Sequence, residues 1–437
     1  MYLLYSFALT ILFLALLPYF IYQALRHGKY RDSFKERLGW LPVLIPRDER
    51  QTVWVHTVSV GEFLAAKPLI ARIKRELPDW RLVVSTTTLT GQRLARVESV
   101  ARFDAVFYFP FDWTFAVRRS LNRVRPSLVV ILETELWPNF LRECRRRSIP
   151  TVIANGRISP RSFARYNRVR RFMARALNDV SLLVMQSEAD AERACLLGAR
   201  ASQVRACGNL KYDLESESLG SNLKSEVAEE IDNLFALSSS PRLIIAGSTA
   251  PGEEKILLAA LGQIRKQKGL SDARLILAPR HPERFDEVAG LIAQSGFRSA
   301  RRSESARDSR TADLILLDTI GELAALYRFA AVVFVGGSLV PRGGHNIIEP
   351  ALYAKPIIVG PHTENFRQIV SDFATADAVV QIKASDEALP DSFTTELIRL
   401  LSDTESAQAM GMRAREILHR SRGATECAIA AILELID

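Results

Sequence analysis

Cysteine is scarce in this chain. The four that occur, Cys144, Cys195, Cys207 and Cys427, are scattered through 437 residues, with no Cys-x-x-Cys pair and no histidine at metal-ligand spacing. That excludes a disulfide-dense scaffold and a cysteine-built zinc site, and it reads as reduced, mostly buried thiols in a cytosolic setting. Three chemical signatures are missing as well: a Walker loop, a G-x-S-x-G elbow and a D-x-D metal pair. No metal and no cofactor are therefore expected. A hydrophobic content of 48% with 24% charged residues excludes a disordered, collagenous or polytopic membrane class. At this length a single core stops growing, so two domains are expected.

Acidic residues are nearly absent from one stretch. Between Arg142 and Arg175 stand eleven arginines, no lysine and one acid, Glu143. The segment carries +10 of a chain total of +9, so everything else sums to −1. A solvated helix face is one reading of such a run. The other is recognition of an anionic surface, favoured by the use of arginine, whose planar guanidinium grips phosphate through two donors.

Charge is missing altogether from Tyr2 to Leu25. The stretch is long enough for a bilayer core, which takes about 20 residues, and it lacks the basic start of a cleaved secretory signal. Arg26, Lys29, Arg31, Lys35 and Arg37 follow at once, which marks a cytoplasmic flank. Residues 1–25 are accordingly expected to be a membrane anchor, spanning or lying in the interface, with the body on the cytoplasmic side of the inner membrane. A buried hairpin helix is the competing reading.

Beyond the N-terminus, strand-length apolar runs alternate with helical stretches. Val53 to His56, Arg81 to Thr86, Val106 to Phe109, Leu128 to Leu132, Thr151 to Ala154 and Leu182 to Gln186 form one series; Leu243 to Ala246, Arg274 to Ala278, Leu314 to Leu317, Val332 to Val335 and Pro356 to Val359 form another. This is the rhythm of α/β folds with parallel sheets covered on both faces. The expected architecture is two doubly wound, Rossmann-like domains facing across a cleft. Their boundaries fall at 26–213, a linker and first helix at 214–240, a second domain at 241–415, and a C-terminal helix at 416–437 that packs back on the first domain.

In doubly wound sheets ligands bind beyond the carboxyl ends of strands, and the polar motifs cluster there. His56 to Phe63 runs through Gly61 into a helix that carries Glu62; complementing the helix end is its bland role, accepting a proton its chemical one. Glu133-Thr134-Glu135-Leu136-Trp137-Pro138-Asn139 follows an apolar strand. Asn155-Gly156-Arg157-Ile158-Ser159 and Gly208-Asn209-Leu210-Lys211-Tyr212-Asp213 come next, with Lys211 placed to neutralise an oxygen or to form a surface ion pair. In the second half, Gly247-Ser248-Thr249 is expected to offer backbone and hydroxyl donors to a phosphate. Pro279-Arg280-His281 and Asp318 to Leu323 repeat the pattern. Gly336 to Pro350 is expected to open a helix near His345 that points its N-terminus at an anion, with Asn346 and Glu349 on one face.

The ordered set of motifs resembles the 3-deoxy-D-manno-octulosonic acid (Kdo) transferases of lipopolysaccharide synthesis, along nearly the whole chain. The resemblance implies a glycosyltransferase B fold and inverting, metal-independent transfer of Kdo from CMP-Kdo to the glucosamine disaccharide of a lipid A precursor, lipid IVA. It implies Glu62 as general base, with Glu133 and Lys211 stabilising the transition state. It places CMP on Pro279, Arg280, Gly321, Glu322, Leu323, Asn346, Ile347, Ile348 and Glu349. The expected partners are CMP-Kdo, the lipid A precursor and an anionic membrane surface, with no nucleic acid. Two other readings stay open: a related lipid glycosyltransferase using a UDP-sugar, and a non-catalytic, membrane-tethered nucleotide- or nucleic-acid-binding protein.

Overall fold

A computed structural model describes residues 2–27, 33–41, 48–99, 103–213, 222–304, 309–383 and 387–436. The start of the expected linker, 214–221, and the basic residues Lys29 and Arg31 lie outside them. The chain forms two compact units, one of Met1–Leu214 with Ser421–Asp437 and one of Glu215–Arg420.

The first unit opens with helices α1 (Tyr2–His27) and α2 (Ser33–Arg37), then alternates strand and helix: β1 (Thr52–Thr57), α3 (Val60–Glu76), β2 (Arg81–Thr86), α4 (Leu89–Ser99), β3 (Ala105–Tyr108), α5 (Thr114–Val124), β4 (Leu128–Leu132), α6 (Pro138–Arg146), β5 (Thr151–Gly156), α7 (Pro160–Asn167), α8 (Arg170–Asn178), β6 (Leu182–Met185), α9 (Glu188–Leu196) and β7 (Val204–Ala206). The seven strands are parallel in the order β3-β2-β1-β4-β5-β6-β7. Central strands such as Leu-Val-Val-Ile-Leu of β4 are buried along their whole length, because helices cover both faces. The order reverses direction between β1 and β4, which makes the ends of those two strands the switch point.

The second unit contains α10 (Asn222–Phe235), β8 (Leu243–Thr249), α11 (Glu253–Ile264), β9 (Arg274–Pro279), α12 (Phe285–Gln294), β10 (Ser299–Arg301), β11 (Leu314–Leu316), α13 (Leu323–Leu326), β12 (Val332–Val335), α14 (Ile348–Leu352), β13 (Ile357–Val359), α15 (Arg367–Thr375), β14 (Val380–Gln381), α16 (Leu389–Ser402) and α17 (Thr404–Ser421). Its sheet is also parallel and seven-stranded, β10-β11-β9-β8-β12-β13-β14, with the reversal between β8 and β12. The last helix, α18 (Ala424–Ile436), belongs to the first unit. Its start is capped by Asp213, whose carboxylate accepts from Gly423 N at 3.0 Å and Thr425 N at 2.6 Å.

The structure departs from the sequence reading at particular points. Three strands have no counterpart in the apolar runs: β7, β10 and β14. All three are edge strands of two or three half-exposed residues, which need not be apolar on both faces. The cysteines are not all free thiols. Docking of α18 brings Cys427 to Cys207, Cα atoms 5.4 Å apart, in a disulfide, while Cys144 and Cys195 stay unpaired. Cysteine usage therefore no longer argues for a reducing compartment. Helix α1 is present, but among the described residues no helix is long and apolar enough to cross a membrane.

Candidate functional site

At the switch point of the first unit, the Ser-x-x-Glu spacing of Ser59 and Glu62 builds a reciprocal cap on α3. Ser59 Oγ accepts from Glu62 N at 3.3 Å and donates to Glu62 Oε1 at 3.0 Å, while Glu62 Oε2 accepts from Val58 N at 2.6 Å. These bonds and the helix end favour the carboxylate. Burial outweighs them: Glu62 is 9% exposed, and its pKa is pushed up to about 7, chiefly by desolvation, with Glu133 and Glu135 adding repulsion. A carboxyl balanced there is half protonated near neutrality, the condition for a general base.

Glu133 follows β4 in the left-handed backbone region, φ 57°, costly for a side chain with a Cβ and held by its N–H to Ala154 O at 2.8 Å. Its Oε1 lies 3.4 Å from Lys211 Nζ. Lys211 is positioned by two asparagines: Asn155, itself at φ 59°, accepts from Leu210 N at 3.0 Å, and Asn209 accepts from Lys211 N at 3.0 Å. Glu135 is raised by burial and then by Glu133. The first unit thus brings Glu62, Glu133, Glu135 and Lys211 together. Near the same strand ends Thr57 Oγ1, Thr87 Oγ1, Trp137 Nε1 and Asn155 Nδ2 are buried and have no hydrogen-bond partner among the described residues; Thr57, Trp137 and Asn155 stand inside the motifs singled out in the sequence, and Thr87 does not. Nothing in residue type alone separates them from ordinary core contacts.

The second switch point is built differently from expectation. Glycine-rich Gly336 to Leu339 does not hold its N–H groups open. Glu253 Oε2 accepts from Ala250 N and Gly337 N, both at 2.8 Å, and Oε1 from Ser338 N and Leu339 N, both at 2.9 Å. Thr249 Oγ1 is likewise taken, by Glu254 at 2.9 Å, and Glu254 meets Arg284 at 2.7 Å. Of the donors expected to greet a phosphate, the Thr249 hydroxyl and the N–H groups of Gly337, Ser338 and Leu339 are therefore committed inside the protein. Nor does a helix start near His345. Helix α14 begins at Ile348 because Pro350 is tolerated only within a first turn, and Asn346 Oδ1 caps it by accepting from Ile348 N at 3.0 Å. At five residues it offers no useful dipole.

Several side chains stand near the same strand ends. Arg280 is exposed at the end of β9, its N–H bonded to Thr249 O at 3.0 Å, and Pro279 ends that strand buried. Arg280 and His281 stand near His345, whose pKa falls to about 4, mainly through burial. Leu323 and Tyr327 pack so closely on Gly247 that a Cβ there would meet them at 3.1 and 2.2 Å, which ties the Gly321 to Leu323 turn to the end of β8. Glu322 is not free: Arg302 holds both its oxygens, at 3.1 and 3.0 Å, and Thr319 donates to it. Ile347 and Ile348 are fully buried core, whereas Glu349 is half-buried with no hydrogen-bond partner among the described residues. Among the described residues no group of three His, Cys, Asp or Glu side chains is arranged to hold a metal ion.

Comparison with known proteins agrees along most of the chain. Residues 32–214 match the family described as 3-Deoxy-D-manno-octulosonic-acid transferase (kdotransferase). A 3-deoxy-D-manno-octulosonic acid transferase of Haemophilus influenzae is 34% identical over 407 residues, 92% of this chain and 91% of the relative. That of Bordetella pertussis is 32% identical over 416 residues, 93% and 92% of the two chains. Among solved structures, a UDP-GlcNAc 2-epimerase from Neisseria meningitidis superposes with a TM-score of 0.58 at 12% identity, over 88% of this chain and 100% of that one. A glycosyltransferase from Rickettsia africae gives 0.52 at 11%, over 89% and 100%. Both are likenesses of fold.

Proposed function

We propose, from the premise that this chain belongs to the 3-deoxy-D-manno-octulosonic acid transferase family, that it moves Kdo from CMP-Kdo to the glucosamine disaccharide of lipid IVA with inversion. As a member of that family it is an enzyme, a glycosyltransferase, and Kdo transfer in lipopolysaccharide synthesis is the activity its relatives carry. The donor, the acceptor and the stereochemistry are our reading.

The observation that carries it is Glu62, a buried carboxyl with a pKa near 7 at the switch point of the first unit, beside the Glu133–Lys211 pair. An acceptor hydroxyl attacks the anomeric carbon of Kdo and gives its proton to Glu62. The new C–O bond forms as the bond to the CMP phosphate breaks, and its electron pair leaves with CMP. Lys211, held by Asn155 and Asn209, offsets negative charge at the reacting centre. In the second unit Arg280 neutralises the leaving phosphate, and Glu349 and Asn346 hold the nucleoside. No metal is invoked, and the cationic work falls to arginine and lysine. We place the enzyme at the cytoplasmic face of the inner membrane, where its lipid acceptor lies.

The test is mass spectrometry of the product made from a tetra-acylated lipid A precursor with CMP-Kdo or with UDP-sugars. Addition of Kdo from CMP-Kdo alone is expected. Sugar addition from a UDP donor instead would refute the donor assignment.

A further inference from the structure

Lys211 rides on a short piece of chain, the 3₁₀ turn Leu210–Asp213. Its side chain is long and flexible, so where the ammonium stands depends on how firmly the turn beneath it is fixed. The leading end is held from within the first sheet. Cys207 N donates to Met185 O at 3.0 Å, and Leu210 N donates to Asn155 Oδ1 at 3.0 Å. The trailing end is held by the last helix of the chain. Asp213 is 6% exposed, and its two oxygens accept from Gly423 N at 3.0 Å and Thr425 N at 2.6 Å, across 210 and 212 residues of sequence.

The source of that cap is informative. A helix whose first N–H groups need partners ordinarily takes a Ser, Thr, Asp or Asn directly before it. Here that place is Gly423, at φ 95°, and the carboxylate comes from the turn of the lysine instead. A second tie joins the same two partners: Cys207, four residues before Lys211, is bonded to Cys427 in the first turn of α18. Leu210 shares its core with Ala424, Ala428 and Ile429 of α18 and with Phe63 and Leu69 of α3, the helix whose first turn carries Glu62. Arg72 of α3 in turn donates to Glu426 of α18 at 2.6 Å. The last helix therefore backs both the acid and the cation of the site.

We propose that Asp213 is a positioning residue for the transfer reaction. By capping α18 it fixes the turn and so holds Lys211 Nζ beside Glu133, 3.4 Å away, with the Cys207–Cys427 bond as a second tie to the same brace. On a loosened turn the lysine side chain would explore more conformations, and few of them would face the reacting centre. Electrostatic stabilisation works when the charge is in place before the transition state forms, so the loss falls on kcat. A cap that served the helix alone would lower stability and leave the chemistry as it was. The inference rests on the role given to Lys211 above.

A double-mutant cycle tests it, with kcat taken from steady-state CMP release in buffer without reductant and folding checked by urea unfolding. Asp213→Asn keeps the size of the side chain and exchanges one acceptor for a donor. It is expected to lower kcat about tenfold, with KM for donor and acceptor little changed. In the Lys211→Ala background the same change is expected to cost less than about twofold, since no ammonium is left to position. Equal losses in the two backgrounds overturn the proposal, as does a folded Asp213→Asn enzyme with the wild-type kcat. Should the Asn variant not fold, Cys427→Ser, which leaves the carboxylate cap intact, carries the same test: kcat about threefold lower with Lys211 present and unchanged without it. Equal losses there overturn the proposal too. A Lys211→Ala enzyme with the wild-type rate removes the role of the lysine itself, whereas a slow Lys211→Ala enzyme with additive losses removes only that of Asp213.

Discussion

Glu62 and Glu253 stand at matching places in the two sheets, each in the first turn of the helix that follows the strand bordering the switch point. Burial raises the proton affinity of both. What separates them is occupancy of their lone pairs. Each oxygen of Glu253 accepts two backbone N–H groups, which leaves nothing for a substrate, and the residue is fully buried. Glu62 accepts from one N–H and one hydroxyl and keeps an edge in solvent. One acid staples a loop; the other is left able to take a proton. A raised pKa marks both, so it cannot by itself mark the catalyst.

The contrast breaks most sharply at the base. Glu62→Gln keeps the cap and removes the proton acceptor, so kcat is expected to fall by about a thousandfold with donor and acceptor KM little changed. A near-normal rate in a steady-state assay of CMP release would make the two glutamates alike and remove the assignment. Next in size, Glu253→Ala strands four buried N–H groups. It is expected to destabilise the second unit by about 3 kcal/mol in urea unfolding and to raise KM for the donor more than it lowers kcat. A variant as stable as the wild type would mean that the loop does not need its staple.

Lys211→Ala is expected to lower kcat by about thirtyfold while costing under about 1 kcal/mol of stability, because the pair it forms with Glu133 is partly exposed. A large loss of stability with little change in kcat would make the lysine structural. The smallest effects are those of pH. With Glu62 as base, kcat/KM should climb about tenfold per unit below pH 7 and level off above it. The sign for stability is opposite to that of a salt-bridged acid. Glu62 binds its proton more tightly folded than unfolded, so it subtracts stability as pH rises from about 4.5 to about 7. Glu62→Gln removes that loss, and its Tm relative to wild type is expected to be about 5 °C higher at pH 8 than at pH 5.

Much of this was readable beforehand, for reasons that particular residues show. Strands such as β4 and β12 are apolar throughout because both faces are covered, and the motifs follow strand ends because a doubly wound sheet exposes polar chain only there. The Ser59–Glu62 cap was legible in its spacing. The Glu253 staple was not: the loop it holds, Gly337 to Leu339, lies more than eighty residues away and is held by backbone atoms, which no side-chain pattern encodes. Asp213 was legible as part of a motif, yet its partner is the helix that begins at Ala424.

The sequence by itself determined the α/β rhythm, the two units, the candidate base and the family, because periodicity and short motifs are local properties. Only the tertiary structure decided that Cys207 meets Cys427, that the glycine-rich loop spends its N–H groups on Glu253, and that Asp213 caps the last helix of the chain. Those outcomes depend on which distant groups arrive at the same place, and that is set by how the layers pack.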